Sequence, residues 1–441
     1  MADTTSARSL FSYPAIRRLV VVYFLSSFGS AMGSVAIAFL AYRESESVVL
    51  TALVLAGNTV PFLAVAPISA RLIVHTDART LLVFSQVTKV LLLGAAALLS
   101  SSGDLRYGVL LGGTFIYGAL SAVAAPAWPR VMEAIAPPNR LTDVNAFFRA
   151  APGPAYIIGA VTGGIIAATA GPPWVLGIDA FTYVPCSIVV ALLPRVAPIG
   201  RRGETTLRPS ARAVMSSESL QRAFLFAMVL NLAAFPLLST LPALAVEIDP
   251  DSHTLGFLQG AFYAGAALVA IAVVWLRRRF RYSHVLEFGF LLAGLVLIVQ
   301  AVVVSWREPG HDALVLALLT MLPIGLALNM NSALLQSLVQ VESGDQKAGV
   351  LVMYATVSAI MTPIGGIVIG VVADTLSLWW ALAGAGVVLI VLVLALHRQL
   401  AVFDALDTHD GPQHVRRQSH AHWATHSRHA LTADVAEADH V

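Results

Sequence analysis

Residues 66–94 read APISARLIVHTDARTLLVFSQVTKVLLLG, two apolar runs parted by a short stretch that holds Arg71, His75, Asp77 and Arg79. One cation, Lys89, lies inside the second run. Either this is a charged turn on a soluble protein or it is a loop joining two membrane spans, and the rest of the chain decides which. The 441 residues are 57% hydrophobic and 12% charged, with a mean hydropathy of +0.78. Soluble domains carry about 25% charged residues. A chain with half that supply cannot coat itself for water, so most of its outer surface must face lipid.

A bilayer core about 30 Å thick needs roughly 20 apolar residues in a helix. Twelve runs qualify: 16–41, 48–72, 80–101, 107–135, 145–170, 174–194, 222–246, 254–276, 282–305, 311–339, 347–373 and 377–398. Membrane strands would alternate and span only about 10 residues. Pro61, Pro67, Pro154, Pro236 and Pro363 fall inside runs, where neighbouring helices can satisfy the freed backbone groups. The first run is too long for the apolar region of a cleavable signal peptide and is expected to stay in the membrane.

Charge then orients the chain. With the N-terminus in the cytosol, one side collects Arg8, Arg17, Arg18, Arg71, Arg79, Arg130, Arg140, Arg149, Arg195, Arg201, Arg202, Arg208, Arg212, Arg222, Arg277, Arg278, Arg279, Arg281 and Lys347. The other side holds Arg43, Arg106 and Arg307 and the acidic stretch Glu247, Asp249 and Asp251. This is the bias of the positive-inside rule, and it makes the 71–79 stretch an inner loop. A shift of 202 residues lays that loop on Arg277–Arg281, Asp143 on Asp345, and Gly163–Gly164 on Gly365–Gly366. The expectation is an all-α polytopic membrane protein of twelve transmembrane helices in two six-helix bundles. Residues 1–194 form the first bundle, 195–221 a cytoplasmic linker, 222–398 the second bundle, and 399–441 a disordered, His-rich cytoplasmic tail.

Several motifs carry a family resemblance over about residues 10–398. They are IRRLVVVYFLSSFGS (16–30), PAWPRVMEAIAPPNRLTDVNAFFR (126–149), DAFTYVP (179–185) and PIGGIVIGVVAD (363–374). In that order they resemble the major facilitator superfamily, closest to its bacterial enterobactin- and macrolide-exporter-like branch. The resemblance implies secondary transport by alternating access, with a cavity formed mainly by spans one, four, seven and ten. The chain also departs from the pattern. Between spans two and three, Ala70, Val74 and His75 replace the usual Gly, Asp and Arg, while Asp77, Arg79 and Leu81 fit. The span-five antiporter signature appears as Gly159-Ala160-Val161-Thr162-Gly163-Gly164, without its proline. Asp77 and Arg79, or the cluster Arg277, Arg278, Arg279 and Arg281, are therefore the candidates for gating at the inner loops.

At a rise of about 1.5 Å per residue, polar residues some ten positions into a span lie near mid-membrane. Ser26, Ser30, Asn58, Tyr117 and Asn231 meet that condition, and Asn329 and Asn331 lie nearer the inner end. Each is a candidate to hydrogen-bond a substrate, or else to bond a neighbouring helix. Lys89 lies about 12 Å into its span by the same rise, where a bare ammonium costs at least about 2.5 kcal/mol. It is either a structural brace or a proton-coupling site. Asp179 is read as capping or packing α-helical structure at the start of span six, with proton carriage as the alternative, and Arg149 as a snorkelling charge.

The net charge of +2 and the lack of a nucleic-acid-binding motif exclude a nucleic-acid partner. No G-x-S-x-G, H-E-x-x-H or phosphate-binding loop occurs, so neither an intramembrane enzyme nor an ATPase is indicated. The single Cys186 excludes an internal disulfide. His422 and His426 have a metal-ligand spacing but no supporting framework, so no metal and no cofactor is expected. The expected partners are a small-molecule substrate, the lipid bilayer and protons. The chain is expected to act as a monomer in the bacterial inner membrane, with both termini cytoplasmic. Its expected role is efflux of a small amphipathic organic compound, a drug, siderophore or secondary metabolite. Uptake of a nutrient and a non-transporting receptor on the same fold are the alternatives.

Overall fold

The structure, a computed structural model, describes residues 12–138, 140–196, 208–249, 252–306, 310–400 and 403–404. Arg8, Arg201, Arg202, Asp251, Arg307, His422 and His426 lie outside the described residues. Among the described residues, twelve helices are long and apolar enough to cross a membrane. The first six are α1 (Pro14–Ser45), α2 (Val48–Val65), α3 (Ala78–Ser102), α4 (Tyr107–Ala124), α5 (Leu141–Thr169) and α6 (Pro172–Ala191). The second six are α7 (Glu218–Ile248), α8 (His253–Arg277), α9 (Tyr282–Val302), α10 (His311–Glu342), α11 (Gly349–Thr375) and α12 (Leu378–Ala395). Leu98, Phe181, Ile271 and Leu319 are each about two-thirds exposed or more. In water that would be costly; against acyl chains it is the expected lipid belt.

Four of the helix interruptions fall at prolines. Pro61, Pro129, Pro154 and Pro236 have no N–H to give the carbonyl four residues earlier. Those carbonyls belong to Gly57, Ala125, Ala150 and Leu232, and the helical pattern is interrupted at or beside each of them. Thus α2 pauses at Gly57–Thr59 and continues to His75, and the run expected over 107–135 divides into α4 and a short helix, Ala127–Ile135. In α7 the defect takes the form of a π-helical turn, Leu230–Ala234, in which Phe235 N–H reaches back to Leu230 O. Side-chain caps close other ends: Ser47 Oγ accepts from Leu50 N, Asp77 from Arg79 N and Ser217 from Leu220 N.

The glycine pairs that echo at a spacing of 202 residues occupy equivalent places. A Cβ on Gly163 would meet Met32 of α1, and one on Gly164 would meet Gly256 of α8 at 2.7 Å. A Cβ on Gly365 would meet Leu232 O of α7, and one on Gly366 would meet Ala52 of α2 at 3.1 Å. In each pair the first glycine seats a helix of its own bundle and the second seats a helix of the other. Small residues let helix backbones approach where lipid supplies no hydrophobic drive. The α5–α8 and α2–α11 contacts thereby join the bundles.

These joints hold the end of the molecule opposite the arginine clusters. There Gly370 lies against Val49, and the carboxylate of Asp374, at the end of α11, receives the start of α2. It accepts from Ser47 Oγ at 2.5 Å, Val48 N at 2.8 Å and Val49 N at 3.2 Å. At the arginine-rich end, Ala127–Ile135, Leu141–Ala150 and Val269–Arg277 pack chiefly within their own bundles. The close contacts between the bundles that these residues make therefore gather at the arginine-poor end.

The chain leaving α12 folds back on the second bundle. Phe403 is buried against Phe226, and Asp404 accepts from Ser283 N at 3.1 Å beside Arg281. Residues Arg208–Ser216 of the linker form a helix whose Ser210 packs on Gly349 at the foot of α11.

Candidate functional site

The second bundle has one continuous apolar core, whereas that of the first bundle is divided. One cluster, with Ile16, Leu82, Val131 and Val190, lies toward the arginine-rich end. The other, with Met32, Leu93, Leu110 and Leu176, lies toward the opposite end. Between them runs a layer of buried polar side chains: Ser26, Ser85, Gln86, Lys89, Asp179 and Thr182.

The helices α1, α3, α4 and α6 build this layer. Gly29 and Gly33 leave a notch one helical turn long on α1, into which α6 presents its polar face. A Cβ on Gly33 would lie 2.1 Å from Asp179 Oδ2, and one on Gly29 2.2 Å from Thr182 Oγ1. Asp179 is 2% exposed, and its Oδ1 has no hydrogen-bond partner. It is the eighth residue of α6, beyond the first turn, so it does not cap that helix. One turn on, Tyr183 hydroxyl lies 2.7 Å from Ser30 Oγ and 2.6 Å from the Tyr117 hydroxyl. The Lys89 ammonium stands 4.3 Å from the centre of the Tyr117 ring and 5.4 Å from that of Tyr183. A desolvated cation over an aromatic face gains about 2 kcal/mol, which offsets much of the cost of burying Lys89. Behind it, Gln86 Nε2 donates to Cys186 Sγ at 3.2 Å, and Ser85 Oγ to Leu120 O at 2.9 Å.

A cavity of about 640 Å³ adjoins the layer on the arginine-poor side. Its polar lining comes from Ser30, Ser34, Asn58, Thr114, Tyr117, Ser121, Tyr156, Asp179 and Tyr263, and Leu92, Leu99, Leu105 and Leu110 furnish apolar walls. Asp179 is the carboxylic acid on that wall; among the described residues no lysine or arginine lines it, and Lys89, over the Tyr117 ring, is not part of the lining. The cavity touches the bundle interface at Tyr156, whose ring lies 5.3 Å from that of Tyr263 of α8 and is tilted 32° to it, and at Ser34, whose Oγ donates to Gln259 Oε1 at 3.4 Å.

The sequence candidates thus separate into groups. Ser30, Asn58, Tyr117 and Asp179 line the cavity, and Lys89 and Ser26 belong to the layer beside it. Asn231 sits in the π turn of α7 and joins α11, where its amide meets Ser358 Oγ at 3.3 Å and accepts from Thr362 Oγ1 at 3.1 Å. Asn329 donates to Gly325 O of its own helix. Asn331 is fully buried against Gly289 of α9, and neither amide atom has a partner. Leaving such a group unsatisfied costs about 1–3 kcal/mol. Replacing Asn331 by the similarly sized leucine is therefore expected to raise the thermal unfolding midpoint in detergent and leave transport unchanged. Lost transport with unchanged stability would give the amide a functional role.

Among the loop candidates, Asp77 Oδ1 accepts from Val196 N at 3.2 Å and Arg79 donates to Leu193 O at 2.8 Å, so both tie the first loop to the end of α6. Arg277 stacks on Tyr282, Arg279 on Trp275, and Arg281 faces Asp404. Arg278 belongs to the same turn, and Arg149 is exposed at an inner-half position of α5. Tyr183, Ser34, Tyr156, Tyr263 and Asp374 were not singled out from the sequence. Tyr183 alone carried a readable signal, since it lies four residues after Asp179 on one helix face.

This architecture, two bundles of six apolar helices with a largely apolar cavity in the first bundle that reaches the joint at Tyr263, defines a multi-pass membrane transporter. The chain belongs to the transmembrane secretion effector family of the major facilitator superfamily, whose model matches residues 5–428. No curated protein sequence matches it. Among solved structures, the nucleoside transporter NupG superposes with a TM-score of 0.69 at 16% identity, covering 87% of this chain and 99% of that one. A bacterial homologue of the iron transporter ferroportin in an inward-facing state gives 0.66 at 14% identity, covering 89% and 98%. The bacterial homologue of the lysosomal transporter Spinster, inward-facing and unoccupied, gives 0.65 at 12% identity, covering 92% and 97%. At these identities the likeness is one of fold.

Proposed function

We propose that the protein is an alternating-access secondary carrier that exports a small amphipathic organic compound from the cytosol, with protons moving in the opposite direction. On this reading the arginine-rich end faces the cytosol, both termini are cytoplasmic, and the protein works as a monomer in the bacterial inner membrane. Residues 1–194 and 222–398 rock as units about the cleft, and residues 195–221 tether them. The observation that carries the reading is the largely apolar cavity with a few aimed polar groups. A cavity of this size and lining suits a lipophilic molecule, and it offers no paired cations for a phosphorylated one. The family's description as secretion effectors and the motif resemblance to enterobactin and macrolide exporters support the outward direction.

Accumulation of amphipathic fluorescent compounds in cells lacking the protein, compared with cells expressing it, tests the direction. Export predicts lower accumulation on expression, and higher accumulation would establish the uptake alternative. Binding by the purified protein with no flux into proteoliposomes would instead favour a receptor. The inner-loop residues Asp77, Arg79 and Arg277–Arg281 are expected to matter for rocking rather than binding, because they stand at the end that must close when the other opens.

A further inference from the structure

The cavity in the first bundle also discriminates by charge. We infer that it is a site for lipophilic organic monocations, in which the cation takes the place of Lys89 as the counter-charge of Asp179. The inference rests on the carrier reading for its physiological meaning but not for its geometry.

Three features point to a cation. Asp179 is buried in the cavity wall, and its Oδ1 is without a partner. A buried carboxylate atom left open in this way is unusual, because buried polar groups are nearly always bonded. The wall beside it is aromatic: Tyr117, Tyr156 and Tyr263 border the same space, and tyrosine faces attract cations, including quaternary ones. Apolar residues of α2, α3 and α4 complete the enclosure, so the cation must carry hydrocarbon or aromatic bulk.

The fourth feature is Lys89. It lies over the Tyr117 ring, outside the cavity lining, and attracts Asp179 without reaching it in a close ion pair. The titratable groups that face Lys89 are Asp179, Tyr183 and Cys186 from α6 and Tyr117 from α4; its neighbour Gln86 is neutral. Asp179 is the one acid in this set. Two cations within reach of a single carboxylate in a medium of low dielectric repel each other strongly. When an organic cation settles against Asp179, the Lys89 ammonium gives up one proton to the solvent and keeps its nitrogen lone pair as the neutral amine. One positive charge enters the bundle and one leaves. Lys89 thereby behaves as a tethered competitor, and the exchange couples the cargo to a proton.

The test uses the full-length protein purified in detergent. The probes are tetraphenylphosphonium, a permanent cation, and triphenylphosphine oxide, a neutral aromatic of similar shape. The wild type is expected to bind the phosphonium at least tenfold more tightly than the oxide. It should also release about one proton into a weakly buffered medium for each cation bound. Asp179→Asn should lose at least tenfold in phosphonium affinity and none in affinity for the oxide. Lys89→Met should bind the phosphonium more tightly and release no proton.

Equal wild-type affinity for the two probes, or binding without proton release, overturns the inference without recourse to any variant. So does an Asp179→Asn protein that binds the phosphonium as the wild type does. Phosphonium binding as expected, with no compound carried in cells or proteoliposomes, would remove the carrier reading and leave the cation site standing. Carriage of neutral compounds with no preference for the phosphonium would do the reverse.

Discussion

Asp374→Ala is expected to shift the protein toward a state open at its arginine-poor end. The carboxylate it removes receives three hydrogen bonds from the start of α2, two of them from backbone amides at a helix N-terminus. Such a terminus carries partial positive charge, which an acid stabilises. Because Asp374 is exposed, the three bonds together are worth about 1–2 kcal/mol rather than their buried value. That is a change of about 5- to 30-fold in the balance of states. Nitroxide labels on cysteines placed at Ser102 and Thr375, exposed ends of α3 and α11, would report it as a growing long-distance population. Cys186 is buried and should not compete for label. A distance distribution identical to that of the unmutated background would show that the bonds do not hold the gate. Ser47→Ala, which removes one of the three bonds, should have a smaller effect in the same direction.

A second large effect is expected from Gly256→Val. A Cβ at this position would lie 2.6 Å from Ala160 O and 2.7 Å from Gly164 Cα. Both neighbours are backbone atoms, so no rotamer change relieves the clash, and α5 and α8 must move apart. Overpacking of this kind costs about 1–3 kcal/mol. Here the strain falls on the joint that the transport cycle must close. Transport is expected to drop at least tenfold while the protein still reaches the membrane. Gly384→Ala serves as the control: open space surrounds a Cβ there, and alanine in a helix is favoured by about 0.5–1 kcal/mol. Equal activity of Gly256→Val and the control would mean that the α5–α8 approach is not needed for turnover.

The two variants act on different bonds at the same end of the molecule, and together they bear on how the resting state is chosen. Asp374 closes α2 on α11 by polar contact, and Gly256 closes α5 on α8 by close packing. At the other end Asp77, Arg79 and Arg281 are engaged within their own bundles. Any bonds they make across the cleft must therefore be exchanged for these when the arginine-rich end closes.

The candidate site was half legible. Lys89 and Asp179 drew notice because charge inside an apolar run is expensive, which is a property of each residue alone. Nothing in the sequence joins them, since they are 90 positions apart and the chain crosses the membrane repeatedly on the way. Asn329 and Asn331 show the same limit at short range. They are two residues apart in one helix, hence on different faces, and one bonds its own helix while the other is sealed against Gly289. Depth in the membrane is written in the residue count, but the face of an all-apolar helix is not, because lipid and protein interior select the same side chains.

The sequence by itself determined that this chain lives in lipid, how many times it crosses, which loops share a side, and that its halves repeat. Those properties follow from local sums of hydropathy and charge, which need no partner. The tertiary structure alone decided that the first bundle's core is cut by a polar layer, that Lys89 stands against Tyr117 while Asp179 faces a cavity, and that Asp374 ties α11 to the start of α2. Each of these depends on which helix faces lie together. That pairing is set by backbone approach at small residues such as Gly33, Gly164 and Gly366, an energy that exists only once two helices meet.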